Sequence, residues 1–296
     1  MTKKLKKSLT LFDVFAISTG AMFSSGFFLL PGLAAAQTGP SVILAYFVAG
    51  LMILPAMFSK AELTAAMPKA GGSYYFIERA LGPLLGTIGG LGTWLSLVFK
   101  TAFALIGMGA YLAVFVELPI KPLAIGLTVA FMGLNVVGAK ESSGLQRALV
   151  TVLLAVLGFF VAQGLYFAAA RPEATQTLSE MGPLFSTGLE GFMGTVGLVF
   201  VSYAGLTKVS SVAEEVENPD RVIPLGMMLS IAVATFTYCV GVAVMMWVLD
   251  PVAFQSDLTP VASAAAVLFD WLPDGVGGGL AVAAAVAAAN GVGAVS

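Results

Sequence analysis

Stretches of about twenty apolar residues recur along this chain, parted by short clusters of charge, and no other feature constrains its fold as strongly. A helix needs about 20 such residues to cross roughly 30 Å of hydrocarbon. Reading between charge clusters and Pro/Gly breaks places eight candidate spans at 9–36, 40–60, 83–116, 122–139, 146–170, 188–210, 223–249 and 275–296. Charged residues are only 10% of the 296, whereas a soluble domain carries about 25%. The expectation is an all-α integral membrane protein, with no soluble domain because no polar stretch exceeds about 25 residues.

Alternating the spans sorts the cations. Lys3, Lys4, Lys6, Lys7, Lys60, Lys69, Arg79, Lys140, Arg147, Lys208 and Arg221 fall on the side of the N-terminus. Lys121 and Arg171 fall on the other, and Lys100 lies inside the third span. Basic loops stay in the cytoplasm, so a multi-pass protein of the inner (cytoplasmic) membrane with a cytoplasmic N-terminus is expected. The lysines before Leu9 and the string Ala34-Ala35-Ala36-Gln37 have the outline of a signal peptide. The apolar run between them is too long for a signal core of about 7–15 residues, so it reads as an anchored first helix. With one cysteine (Cys239) and no histidine, disulfides, histidine metal sites and histidine acid–base chemistry are excluded. A net charge of −2 offers no nucleic-acid surface, and no cofactor or metal is expected.

Two of the spans are interrupted by small, polar, helix-weakening residues: Gly20-Ala21-Met22-Phe23-Ser24-Ser25-Gly26-Phe27-Phe28 and Phe200-Val201-Ser202-Tyr203-Ala204-Gly205-Leu206-Thr207. Irregular backbone survives in a bilayer only where protein or a cavity satisfies its polar groups, so a break at mid-membrane points to a ligand site. Two breaks in oppositely directed spans point to a transporter built from inverted repeats. Amides freed near Ser24, Ser25 and Gly26 suit a carboxylate, and carbonyls unwound near Ser202, Tyr203 and Ala204 suit an ammonium. Small residues packing helices closely would explain the serines alone.

Lys100 sits where a cation costs about 2.5–3.5 kcal/mol, with no acidic residue mid-span to pair with it. Its partner is then a carbonyl, a helix end, the substrate or a group beyond this chain, and it reads as substrate ligand, proton carrier or fixed structural cation. Ser96, one turn away, makes a Ser–Lys pair of the kind found in hydrolases, without any recognisable oxyanion arrangement. Trp94 and Phe103 suit either a pathway or lipid. The loop Glu214-Glu215-Val216-Glu217-Asn218-Pro219-Asp220-Arg221 reads as a solvated turn in which Asn-Pro stops the helix. Glu214 or Glu215 pairing with Lys69 or Arg79 would make it a gate.

Four strings in order resemble the amino acid–polyamine–organocation (APC) superfamily of permeases: Gly20 to Gly32; Ala61-Glu62-Leu63 through Pro68-Lys69-Ala70-Gly71-Gly72-Ser73-Tyr74-Tyr75 to Leu81-Gly82-Pro83; Asn135-Val136-Val137-Gly138-Ala139-Lys140; and Phe200 to Gly205 with Glu214 to Arg221 and Pro224. The resemblance implies a LeuT-like fold with discontinuous helices 1 and 6. Residues 1–8 would be a cytoplasmic tail, 9–170 a complete first five-helix repeat and 188–296 a partial second repeat, truncated after helix 8. It also implies a secondary transporter of amino acids or related amines, working by alternating access, with proton coupling or exchange favoured over sodium. Some members carry a lysine in helix 5 in place of sodium, and Val150-Thr151-Val152-Leu153-Leu154 has none here.

The candidate substrate set is Ala21, Met22, Ser24, Ser25, Gly26, Lys100, Phe200, Ser202, Tyr203, Ala204 and Gly205, with Lys100, Glu214 and Glu215 in coupling or gating. In helix 8 the small residues from Ala281 to Gly293 suit packing against helix 1, with Asn290 the one strongly polar side chain. The expected partners are a small-molecule substrate, the lipid bilayer and a proton. Alternatives are a cation–chloride cotransporter-like protein, compatible with the Gly71–Tyr75 linker, and a transporter-like substrate sensor.

Overall fold

The computed structural model describes residues 7–69, 71–113, 119–137, 142–170 and 182–269. They form helices throughout: α1 (Leu11–Met22), α2 (Ser25–Phe28), α3 (Leu30–Thr38), α4 (Val42–Met52), α5 (Leu54–Ala66), α6 (Gly72–Leu81), α7 (Pro83–Ala113), α8 (Ile120–Val137), α9 (Ser142–Ala170), α10 (Gly188–Phe200), α11 (Pro219–Val248), α12 (Pro251–Ser256) and α13 (Pro260–Leu268). Between α10 and α11 runs a 3-10 helix, Val201–Ser211. Among the described residues, five stretches are long and apolar enough to span a membrane: Leu30–Ala66, Pro83–Ala113, Arg147–Ala170, Gly188–Ser211 and Pro219–Val248. The expected eighth span, 275–296, lies outside the described residues.

Local chemistry sets the boundaries. Proline opens α11, α12 and α13, where its missing N–H costs nothing. Asp250 caps α12 by accepting the Val252 and Ala253 amides at 3.0 Å. Thr10 and Asp13 form a reciprocal capping box at the start of α1. Two expectations are corrected here. The seventh helix begins at Pro219, not at 223: Asn218 takes a left-handed turn (φ 47°) and Asn-Pro starts a helix instead of ending one. The expected linker between helices 2 and 3 contains a helix of its own, α6, punctuated by Gly71 and Gly82 at positive φ.

The segments expected as the first and sixth spans run antiparallel. At one end, Leu9 and Val216 form a parallel bridge, with Ser8 and Leu9 amides donating to the Glu215 carbonyl at 2.9 and 3.0 Å and Glu217 N–H donating back to Leu9 at 2.9 Å. At the other, the Thr187 hydroxyl donates to the Gln37 carbonyl at 2.6 Å. Helix α1 packs between α11, α9 and the 3-10 segment, while α4 packs on α10 and α11. One apolar core joins these elements. Polar stitches run through it: the Ser230 hydroxyl of α11 donates within hydrogen-bonding distance of Phe15 O and accepts from Thr19 Oγ1, each at 3.1 Å.

Candidate functional site

The first crossing breaks where its sequence weakens it. Helix α1 stops at Met22, Phe23 and Ser24 leave helical geometry, and the short α2 restarts at Ser25. The sixth behaves differently from the expectation of an unwound stretch. Its α-helix ends at Phe200, but the chain then winds as eleven residues of 3-10 helix through Ser202, Tyr203, Ala204 and Gly205. Runs of 3-10 geometry beyond about 3–4 residues are uncommon, and mid-helix they mark hinges.

The two irregular segments touch through their smallest residues. A Cβ on Gly205 would strike the Ala21 carbonyl and the Met22 amide, and a Cβ on Gly26 would lie 2.5 Å from Ser202 Oγ. Here glycine is required by close backbone approach. The structure therefore brings Ala21, Met22, Gly26, Ser202 and Gly205 together from segments 176 or more residues apart. Phe23, Ser24, Ser202 and Tyr203 are buried with them.

A helix end leaves carbonyls without intrahelical donors, and in hydrocarbon they must find others. Side chains from four other elements supply them. Lys100 Nζ of α7 donates to the Ala21 carbonyl at 2.7 Å, and the Tyr238 hydroxyl of α11 donates to Met22 at 2.8 Å. Gly26 accepts from Tyr46 of α4 at 2.7 Å and from Ser202 at 3.1 Å. Phe28 accepts from Tyr111 at 2.8 Å. Lys100 thus has a carbonyl at a helix C-terminus as partner, where the negative end of the helix dipole also favours a cation. Trp94 on the same helix points outward, 62% exposed.

Tyr238 is the hub. Its hydroxyl also lies 3.4 Å from the Ser202 carbonyl, so one side chain faces both breaks. Its ring is fully buried against Phe23, Phe27, Tyr46 and Tyr203 at centroid distances of 5.2–5.6 Å. Sequence reasoning missed Tyr46, Tyr111 and Tyr238. The available signal was a tyrosine deep in an apolar span, whose O–H needs an acceptor there. Tyr238→Phe keeps the ring and strands the Met22 carbonyl, so it should cost about 1–3 kcal/mol. A lowered thermal midpoint in detergent is the expected reading; an unchanged midpoint would show that this carbonyl does not depend on the hydroxyl.

At the end where α1 begins, Asp13 is 1% exposed, pairs with Arg147 of α9 and accepts from Thr10 N–H at 2.8 Å and Thr10 Oγ1 at 2.7 Å. Glu215, one of the expected gating residues, meets the start of the chain at this end. Its carbonyl accepts the Ser8 and Leu9 amides, as described above; Arg79 donates to the Tyr75 hydroxyl at 3.2 Å, and Lys69 lies 5.8 Å from that ring's centroid. Two apolar grooves, of about 520 and 380 Å³, flank α11 away from the breaks, the larger along Phe47, Leu51 and Phe236 and the smaller along Leu154 and Val161.

A model of the amino acid permease family matches residues 9–296, nearly the whole chain. The chain belongs to the amino acid permease family. The permease is 29% identical over 287 residues to cationic amino acid transporter 1 of Arabidopsis thaliana, covering 90% of this chain and 47% of that protein. It is 28% identical over 281 residues to the branched-chain amino acid permease BcaP of Bacillus subtilis, covering 88% and 59%. A further similar protein, the uncharacterized transporter Rv1999c of Mycobacterium tuberculosis, is 29% identical over 282 residues, covering 95% and 62%. The permease therefore spans about half to three-fifths of the length of these relatives. Family membership agrees with the APC resemblance in the helix 1 and helix 6 strings, and favours neither the cotransporter nor the sensor alternative.

Proposed function

We propose that this permease is a secondary transporter that moves amino acids or related organic amines across the membrane by alternating access, its substrate seated where the two broken helices meet. The observation that carries this reading is the direct backbone contact of two irregular segments inside antiparallel membrane crossings. Breaks of this kind are stable in hydrocarbon only when they serve a cavity or are satisfied by protein, and paired breaks are how inverted-repeat transporters build midplane sites.

The roles divide by chemistry. Amides at the start of α2, from Ser24 to Gly26, face a carboxylate. Helix 1 carbonyls are already held by Lys100 and tyrosines, so the substrate ammonium belongs on the helix 6 side, at Ser202 to Ala204 with Phe200 and Gly205 shaping the seat. In this reading residues 9–170 form one five-helix repeat and 188–296 begin the second, in a LeuT-like arrangement. The N-terminus lies in the cytoplasm, as the cation bias supports. The contact of Leu9 with Val216 closes the cytoplasmic side and parts when that side opens, with Glu214 and Glu215 at its edge.

Purified protein in proteoliposomes should accumulate at least one labelled amino acid from a panel of the twenty, with an imposed pH gradient raising the initial rate if protons drive transport. Saturable exchange without a gradient effect would assign an antiporter. No uptake and no exchange of any panel member would overturn the proposal.

A further inference from the structure

We propose that the larger groove beside α11 holds one aminophospholipid from the leaflet on the side where α1 begins. Its acyl chain lies along the groove, and its zwitterionic headgroup sits between Arg221 and Glu62. The site does not depend on the transport reading; it requires only the membrane.

The groove has the dimensions of a lipid tail. It holds about 520 Å³ between α4, α5 and α11, with Phe47, Leu51 and Phe58 on one wall and Met228, Ala232 and Phe236 on the other. All six are exposed. From Phe47 to Phe58 the wall runs about 16 Å at about 1.5 Å per residue, roughly one leaflet of a hydrocarbon core about 30 Å thick. The floor is open because Gly50 has no side chain. A Cβ there would lie 2.6 Å from Thr235 Oγ1 and 3.1 Å from the Tyr203 hydroxyl.

Charge at the mouth selects the headgroup. The contacts of Cys239 with Ile43 and of Thr235 with the Gly50 position set α4 and α5 antiparallel to α11. Following both helices about 18–21 Å from the Gly50–Thr235 contact, toward the end where α1 begins, reaches Glu62 on α5 and Arg221 on α11. Glu62 lies four residues beyond Phe58 and Arg221 seven before Met228, so each continues the face of its own wall. Asp220, beside Arg221, is turned about 100° round the helix from it. Both Glu62 and Arg221 are exposed, and among the described residues neither side chain makes a hydrogen bond or an ion pair. One wall thus ends in an anion and the other in a cation, each without a partner there.

A headgroup carrying both charges answers both walls. Its phosphate takes the paired N–H donors of the guanidinium, and its primary ammonium donates to the carboxylate. Phosphatidylglycerol brings no cation to Glu62 and sets its phosphate against it. Phosphatidylcholine has a quaternary ammonium with no N–H to donate.

The test titrates the full chain, purified in mild detergent, with phosphatidylethanolamine, phosphatidylcholine and phosphatidylglycerol of identical acyl chains, and counts bound lipids by native mass spectrometry. The wild type should retain one phosphatidylethanolamine about tenfold or more tightly than either other lipid. R221Q should weaken that lipid about tenfold, and E62Q should bring phosphatidylglycerol to within about threefold of it. A232W fills the groove and should release the retained lipid whatever its headgroup. Equal retention of the three lipids by the wild type overturns the inference. So does unchanged selectivity in both charge variants, a lipid still held by folded A232W, or a lipid-free dimer showing that a second copy covers the groove. Where A232W does not fold, the exposed substitutions at Glu62 and Arg221 carry the decision.

Discussion

Gly205→Val is expected to abolish transport and to lower thermal stability by more than any other single apolar exchange near the breaks. Even the first added carbon would collide with the Ala21 carbonyl and lie 2.6 Å from the Met22 amide. These are main-chain atoms, so no side chain can swing aside to make room. Overpacking in a filled core typically costs about 1–3 kcal/mol, and this site stands at or beyond the top of that range because two helices must separate. Separation would also break the hydrogen bond of Ser202 to Gly26 and pull Tyr238 from one of its two carbonyls. Gly197→Ala, one element earlier with nothing within 4 Å of the added carbon, supplies the control and should be neutral or slightly stabilising. Uptake and thermal midpoint measured side by side decide the matter: a Gly205→Val protein that transports normally would mean the two segments are not in contact in the working molecule.

Arg147→Ala should be the second large effect, acting at the other end of α1. Asp13 is buried and its carboxylate depends on Arg147 and on the amide and hydroxyl of Thr10. Stranding one member of a buried pair costs about 3–5 kcal/mol, reduced here to about 1–3 because the Arg147 side chain is 43% exposed. The double variant Asp13→Asn with Arg147→Gln removes the uncompensated charge and should recover part of that loss. Exchanging the two charges should not, because Asp13 also closes the capping box and faces the positive end of the α1 dipole. Thermal midpoints of the wild type, Asp13→Asn, Arg147→Gln and the double variant form the cycle; a double-variant loss equal to the sum of the two single losses would remove the pair from the account.

Much of this could be read from the residues because membrane burial leaves so few alternatives. The strings around Ser24 and Ser202 mark where the chain loses α geometry, and five of the apolar runs coincide with helices long enough to cross a membrane. What the string could not carry is how freed groups are answered across the bundle. Single tyrosines at 46, 111 and 238 look like ordinary apolar-run aromatics until the fold sets their hydroxyls against carbonyls of the first crossing. Asp13 passes for a span-end carboxylate, and only the packing of α9 reveals its partner. The 3-10 winding after Phe200 has no compositional signature separating it from open coil. Asn-Pro at 218–219 punctuates either end of a helix, and here the left-handed Asn218 settles on the beginning.

The eleven residues from Val201 to Ser211 hold a store of length. Each rises about 2.0 Å as wound now and would rise about 1.5 Å as α-helix, so rewinding the whole run shortens it by about 5 Å. The strand-like pairing at Leu9 and Val216 hangs from the lower end of that run. A change of winding alone would therefore haul the first helix's leading end one α turn inward, giving the protein a winch without a hinge loop.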